Sequence, residues 1–168
     1  MNAEFITQPI SGKYEEKIFD LTTFWKSQTW NWVKFTTNDG KEWIGVFRGE
    51  PMNVAVAENT NQVAILTSNG IYILDIVTKE VLFYDEQTDF RKITGTPTKD
   101  KFVVADYSQI GIIDESFNVK FIELDYHIDN VEFREYFGNK LQVSFEKMPD
   151  YDIVNGFLDT ENWTIELE

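Results

Sequence analysis

A self-similarity at a spacing of 39 residues constrains this chain more than any other feature. Shifted by that amount, Val54 meets Ile93, Val63-Ala64-Ile65 meets Phe102-Val103-Val104, and Ile71 meets Ile110. Ile73-Leu74-Asp75 then meets Ile112-Ile113-Asp114, and Leu82-Phe83 meets Phe121-Ile122, with no gap. A fixed period of this size marks a chain built from repeated supersecondary units, which bury their apolar faces against one another. A third copy is weaker. Lys140-Leu141-Gln142-Val143 matches the strand that begins at Lys101, and Gly156-Phe157-Leu158-Asp159 matches Gly111-Ile112-Ile113-Asp114 after a six-residue insertion. Trp163-Thr164-Ile165 closes that copy.

Within each unit the apolar runs are four or five residues long and bounded by turn chemistry, which favours strands over helices. Asn69-Gly70 separates two such runs, and Asn38-Asp39-Gly40 separates Trp32-Val33-Lys34-Phe35 from Trp43-Ile44-Gly45-Val46-Phe47. Both read as hairpins. The Trp32 hairpin stands as a degenerate fourth copy. Each unit runs strand, loop, strand, turn, strand ending in Asp, turn, strand. This resembles a β-propeller blade, four antiparallel strands in roughly 40 residues. The resemblance implies an all-β fold: an antiparallel β-meander forming a propeller-like stack of three to four short-stranded units. The expected units lie at about 54–92, 93–130 and 131–168, in a single domain spanning 1–168. A β-barrel or sandwich is the alternative. Asp75, Asp114 and Asp159 are expected to cap the turns that follow them. Between Tyr14 and Lys26 the pattern suits a strand or a helix equally.

Charge narrows the partners. The net charge is −14, and it is uneven: residues 1–50 hold seven acids and six bases, residues 51–168 hold 22 acids and nine bases. Such a field repels a phosphate backbone and an anionic bilayer, so neither nucleic acid nor membrane is expected as a partner. It attracts a basic protein and speeds its encounter. The chain has no cysteine, which removes thiol catalysis and thiolate metal sites. Met1 to Gly12 shows no basic segment followed by an apolar run, and the cytoplasm is the simplest location.

No catalytic constellation stands out, and no enzyme activity is expected. His127 is the only histidine. In Glu123-Leu124-Asp125-Tyr126-His127-Ile128-Asp129 the polar residues alternate with apolar ones. That spacing would bring oxygen and imidazole ligands together on one strand face. It is also what any half-buried strand shows, and this reading is preferred. Counted from Asp150, the segment to Gly156 has Val154 at the fifth position, where a calcium loop needs an acidic or amide ligand, and Asn155 at the sixth, where it needs glycine, so a hairpin loop is expected there. No serine sits in a nucleophile elbow and no glycine loop cradles phosphate. Neither a metal nor a cofactor is expected.

In size, charge and lack of catalytic residues the chain resembles bacterial immunity proteins, toxin inhibitors that bind a toxin domain and cover its active site. The resemblance implies a non-enzymatic protein-binding module that masks a basic partner. The expected contact residues are Glu123, Asp125, Asp129, Glu132 and Glu135, in a segment whose only base is Arg134. The alternative is a small-ligand or carbohydrate-binding domain using the N-terminal tryptophans Trp25, Trp30, Trp32 and Trp43, since aromatic faces make stacking and hot-spot surfaces.

Overall fold

The short alternating runs form strands throughout. The computed structural model describes residues 1–86 and 89–168, and in them the chain folds into four four-stranded sheets that do not close into a barrel. The fold is all-β, and among the described residues the remaining regular element is one short 3-10 turn at Glu58–Thr60.

Three of the sheets are plain meanders. One contains β5 (Pro51–Ala57), β6 (Gln62–Thr67), β7 (Gly70–Asp75) and β8 (Val81–Asp85). The next contains β9 (Lys92–Gly95), β10 (Phe102–Ala105), β11 (Ile110–Ile113) and β12 (Val119–Phe121). The last contains β13 (Ile128–Phe137), β14 (Lys140–Lys147), β15 (Asp152–Asp159) and β16 (Thr164–Leu167).

The 39-residue repeat is present in the hydrogen-bond register. Val54 pairs with Ile65 and Val63 with Leu74, and their mates Ile93, Val104, Phe102 and Ile113 pair in the same way. In the last sheet Leu141 pairs with Leu158 and Val143 with Gly156, the register that the six-residue insertion requires. The outer strand departs from the sequence alignment. Ile73 lies opposite Phe83, but Ile112 lies opposite Lys120, so β12 slips by two residues relative to β8. A bulge between Ile73 and Leu74 and a shorter turn before β12 account for the slip.

The turns before the outer strands share one construction. Asp75 Oδ1 accepts the N–H groups of Val77 and Thr78, both at 2.8 Å. Asp114 Oδ1 accepts those of Ser116 (2.9 Å) and Asn118 (3.0 Å), and Asp159 Oδ1 those of Glu161 (2.8 Å) and Asn162 (3.4 Å). Each turn then passes through one left-handed residue: Lys79, Phe117 or Trp163. Asp75→Ala and Asp159→Ala are each expected to lower stability by about 0.5–2 kcal/mol in urea denaturation, the loss of a local side chain-to-backbone bond. The Asn118 N–H, the Lys120 ammonium and the Ser116 N–H hold the Asp114 carboxyl below its ordinary 3.8. Its contribution is therefore complete above that ordinary value and is lost as pH falls through the lower folded one.

The first sheet is built differently. It contains β1 (Asn2–Ile6), β2 (Glu15–Phe19), β3 (Trp30–Thr36) and β4 (Glu42–Arg48), in the order β1-β3-β4-β2. β2 lies parallel to β4 and fills the outer position that β8, β12 and β16 occupy in the meanders. The ambiguous Tyr14–Lys26 segment thus contributes a strand, and the Trp32 hairpin is β3 and β4 of a fourth sheet.

By its contacts the chain divides into two units, Met1–Thr88 and Asp89–Glu168. In the first, Phe35, Trp43 and Phe47 share one core with Ile65, Tyr72 and Leu74, so the first two sheets pack face to face. In the second, Val103 and Ile110 share a core with Leu141, Val143, Phe145 and Leu158. Within each unit the leading strands of the two sheets approach: β1 lies beside β5, and Lys92 of β9 pairs with Glu132 of β13 at 2.6 Å. Within each unit, then, two blade-like four-stranded sheets share one core. One matched position differs between the two copies. Ile73 is fully buried, while its mate Ile112 is only half-buried, because its outer neighbour is the exposed Lys120 rather than Phe83.

Candidate functional site

The six-residue insertion has a structural counterpart. In the third sheet the β10–β11 hairpin ends at the pair Ala105–Ile110, and Asp106 caps the turn by accepting from Ser108 and Gln109. At the matching place in the last sheet, β14 and β15 continue. Phe145 pairs with Val154, Glu146 with Ile153 and Lys147 with Asp152. The hairpin therefore extends past its sister. Phe145 roots it in the core and Val154 packs against that core. Its outer end carries Tyr151 and Ile153, 61% and 75% exposed.

The connection between β12 and β13 is fastened to this hairpin. Leu124 and Tyr126 turn inward onto the core, and Ile128 is buried. Tyr126 stacks on Phe145 at 6.1 Å, Lys147 Nζ lies 4.6 Å from the Tyr126 ring, and the Met148 N–H donates to the His127 carbonyl at 3.0 Å. Burial and the nearby Asp125 charge push the Tyr126 hydroxyl above its ordinary value. The intervening Glu123, Asp125 and His127 are exposed. They line a groove of about 550 Å³ together with Ser108, Gln109 and Phe121. The alternation is that of a solvated polar face over a buried apolar one. Among the described residues no three His, Asp or Glu side chains converge as a metal set.

The five expected contact residues separate into three groups. Glu123 and Asp125 lie on the connection, and Asp129 follows at the start of β13, where its Oδ1 accepts the Asn130 N–H at 2.8 Å. Glu132 is neutralised by Lys92. Glu135 is exposed farther along β13, roughly 20 Å from Asp129 at strand rise. The structure also adds residues that the sequence reasoning missed. Glu146 lies directly opposite Asp129, and Asp150 and Asp152 flank the hairpin tip. The signal that pointed to them was the insertion itself. Like charges directly across a strand pair are destabilising, and neither Asp129 nor Glu146 has an ion-pair partner among the described residues.

The tryptophans do not form one platform. Trp43 is 2% exposed and belongs to the core. Trp30 and Trp32 share one half-buried face of β3, and the Arg48 guanidinium covers Trp30 at 4.1 Å. Trp25 alone is open, beside the still more exposed Phe24, on the loop from β2 to β3. That loop is tied down along its length. Glu86 accepts the N–H groups of Thr23 (2.6 Å) and Phe24 (3.4 Å), and Asn69 Nδ2 donates to the Trp25 carbonyl at 2.5 Å. Arg48 makes paired bonds of 2.9 and 2.8 Å to Asp20, and holds that carboxyl below its usual range.

No protein-family model matches the chain, and no curated protein matches it at a significant level.

Proposed function

We propose that this chain is a non-enzymatic protein-binding module that masks a basic partner, such as a toxin domain, through the acidic end of residues 89–168. The observation that carries this reading is the cross-strand pair Asp129 and Glu146, which has no ion-pair partner among the described residues and follows the exposed Glu123 and Asp125 along the chain. A fold gains nothing from opposed carboxylates. A partner's lysine or arginine relieves the repulsion and gains charge-assisted hydrogen bonds. An immunity protein that covers a toxin's active site is the working comparison. The cytoplasm suits a chain that has no disulfide to maintain.

The test is charge reversal with a decalysine peptide as the probe. The variant D125K/D129K/E146K is expected to lower the association rate by about tenfold or more in dilute buffer, with a smaller change in dissociation. The difference should shrink as ionic strength rises, because exposed charges are screened beyond about 10 Å near 0.1 M salt. Equal rates for the two proteins at low salt would remove the acidic end as the steering surface. E135K set against E146K alone is the internal control, because these two single reversals change net charge equally and Glu135 lies at a distance from the pair.

The exposed Phe24 and Trp25, on a loop already held in place, favour a second reading in which residues 1–88 stack a sugar or another flat ligand. Quenching of Trp25 fluorescence by a soluble glycan, absent in W25F, is its signature.

A further inference from the structure

Resting on the reading above, we infer that the β14–β15 extension is an anchoring prong. Ile153 and Tyr151 seat on apolar surface of a basic protein partner, while the carboxylates around them hold its lysines and arginines. Three observations lead there. The first is position. Asp129, Glu146 and Ile153 form one cross-strand row over β13, β14 and β15, since Asp129 pairs with Glu146 and Glu146 with Ile153. Directly paired residues place their side chains on the same face. An aliphatic side chain therefore stands in line with two carboxylates.

The second is pattern. Val154 packs on the core, so the neighbouring Ile153 points to the opposite face, where alternation calls for a polar residue. Instead it is isoleucine, 75% exposed, with Tyr151 61% exposed at the adjoining tip. The third is rigidity. The extension has three paired rows and a root, Phe145, that is 1% exposed, so little order has to be gained on binding. Neither sister meander has this extension.

Charge complementarity selects the occupant. Asp129 and Glu146 stand in one row with Ile153, Asp150 and Asp152 flank Tyr151 along the chain, and Lys147 is directed to the Tyr126 ring. An apolar surface rimmed by acids fits a cationic segment carrying an apolar anchor. Lysine and arginine suit such a rim especially, because their aliphatic stems lie on apolar surface while their charged ends reach the carboxylates. A neutral hydrophobic partner would leave the carboxylates desolvated and unpaired.

The experiment uses the full chain and two labelled peptides, KRLWRK and KRSSRK, which carry equal charge and differ in the apolar anchor. Binding is followed by fluorescence anisotropy and by amide shifts of residues 145–154. The wild type is expected to bind KRLWRK about five- to tenfold more tightly than KRSSRK, a difference of the size that one buried aliphatic contact supplies. The double variant I153S/Y151S should abolish that preference and leave KRSSRK affinity unchanged. Both side chains are exposed, so the fold should be retained, with unchanged circular dichroism as the check. Equal binding of the two peptides by the wild type, or a preference that survives in the double variant, would overturn the prong and leave the acidic surface standing. If neither peptide binds at low salt, the acidic-surface reading fails and the prong fails with it.

Discussion

Trp43→Ala should destabilise the folded chain by about 3–5 kcal/mol, the range for removing a large buried aromatic. Trp43 is 2% exposed and stacks on Phe35 at 4.2 Å, with Phe19 at 6.3 Å. Its indole N–H donates to the Ile76 carbonyl at 3.2 Å, joining the first sheet to the turn after β7. Truncation thus opens a cavity and unpairs a buried carbonyl in one step. Trp43→Phe separates the two costs. It keeps most of the volume and loses the hydrogen bond, so about 1–2 kcal/mol is expected from the carbonyl alone. Urea midpoints for the two variants measure the difference. Near-equal losses would mean that the hydrogen bond, rather than packing, dominates at this site. Destabilisation of either size places Trp43 in the scaffold and takes it off the ligand-stacking surface.

The meanders were legible because two independent codes agree in them. Apolar alternation sets which face is inward, and Asn-Gly or Asp turns set where each strand stops, so Val63–Leu74 and Phe102–Ile113 share one register. The first sheet carries no such agreement. In β2 only Phe19 is buried, and the other four residues are exposed. A strand with one inward residue has no period to detect, and its parallel partner β4 lies more than twenty residues away. The outer-strand slip was hidden for a related reason. Leu82-Phe83 and Phe121-Ile122 are both apolar pairs, so composition cannot report a bulge that shifts one against its neighbour.

The acidic end was legible in part. Glu123, Asp125 and Asp129 were found as an excess of charge along the chain. Whether a charge is free is a tertiary property: Glu132 pairs with Lys92, forty residues earlier, and Asp129 lies opposite Glu146 on the neighbouring strand. The tryptophans show the same limit. Trp25 and Trp43 lie close in sequence, yet one is 65% exposed and the other is core, because strand parity and a tied loop decide exposure.

Ile73→Ala and Ile112→Ala test how far the repeat extends from register into energetics. The two residues hold matched positions, each opposite its mate's counterpart: Ala64 for Ile73, Val103 for Ile112. Equivalent packing would give equal costs. The structure argues otherwise. Ile73 is fully buried, with Phe83 on its outer side, so its truncation should cost about 2–5 kcal/mol. Ile112 is half-buried beside Lys120, whose ammonium reaches out to Asp114 at 3.2 Å. Less apolar area leaves water there on folding, and solvent can fill the space that truncation opens. A loss of about 1–2 kcal/mol is expected, in proportion to the smaller burial. The readout has to be chosen with care, since four of the five tryptophans precede residue 89 and only Trp163 follows it. Far-ultraviolet circular dichroism in urea follows all four sheets alike, and Trp163 as the sole tryptophan, in a variant with the others replaced by Phe, follows the last. Equal losses at Ile73 and Ile112 would mean that Ile112 is packed more tightly than its exposure indicates. A negligible loss at Ile73 would remove the buried second face of β7, and with it the physical basis for treating the 39-residue period as a packing repeat.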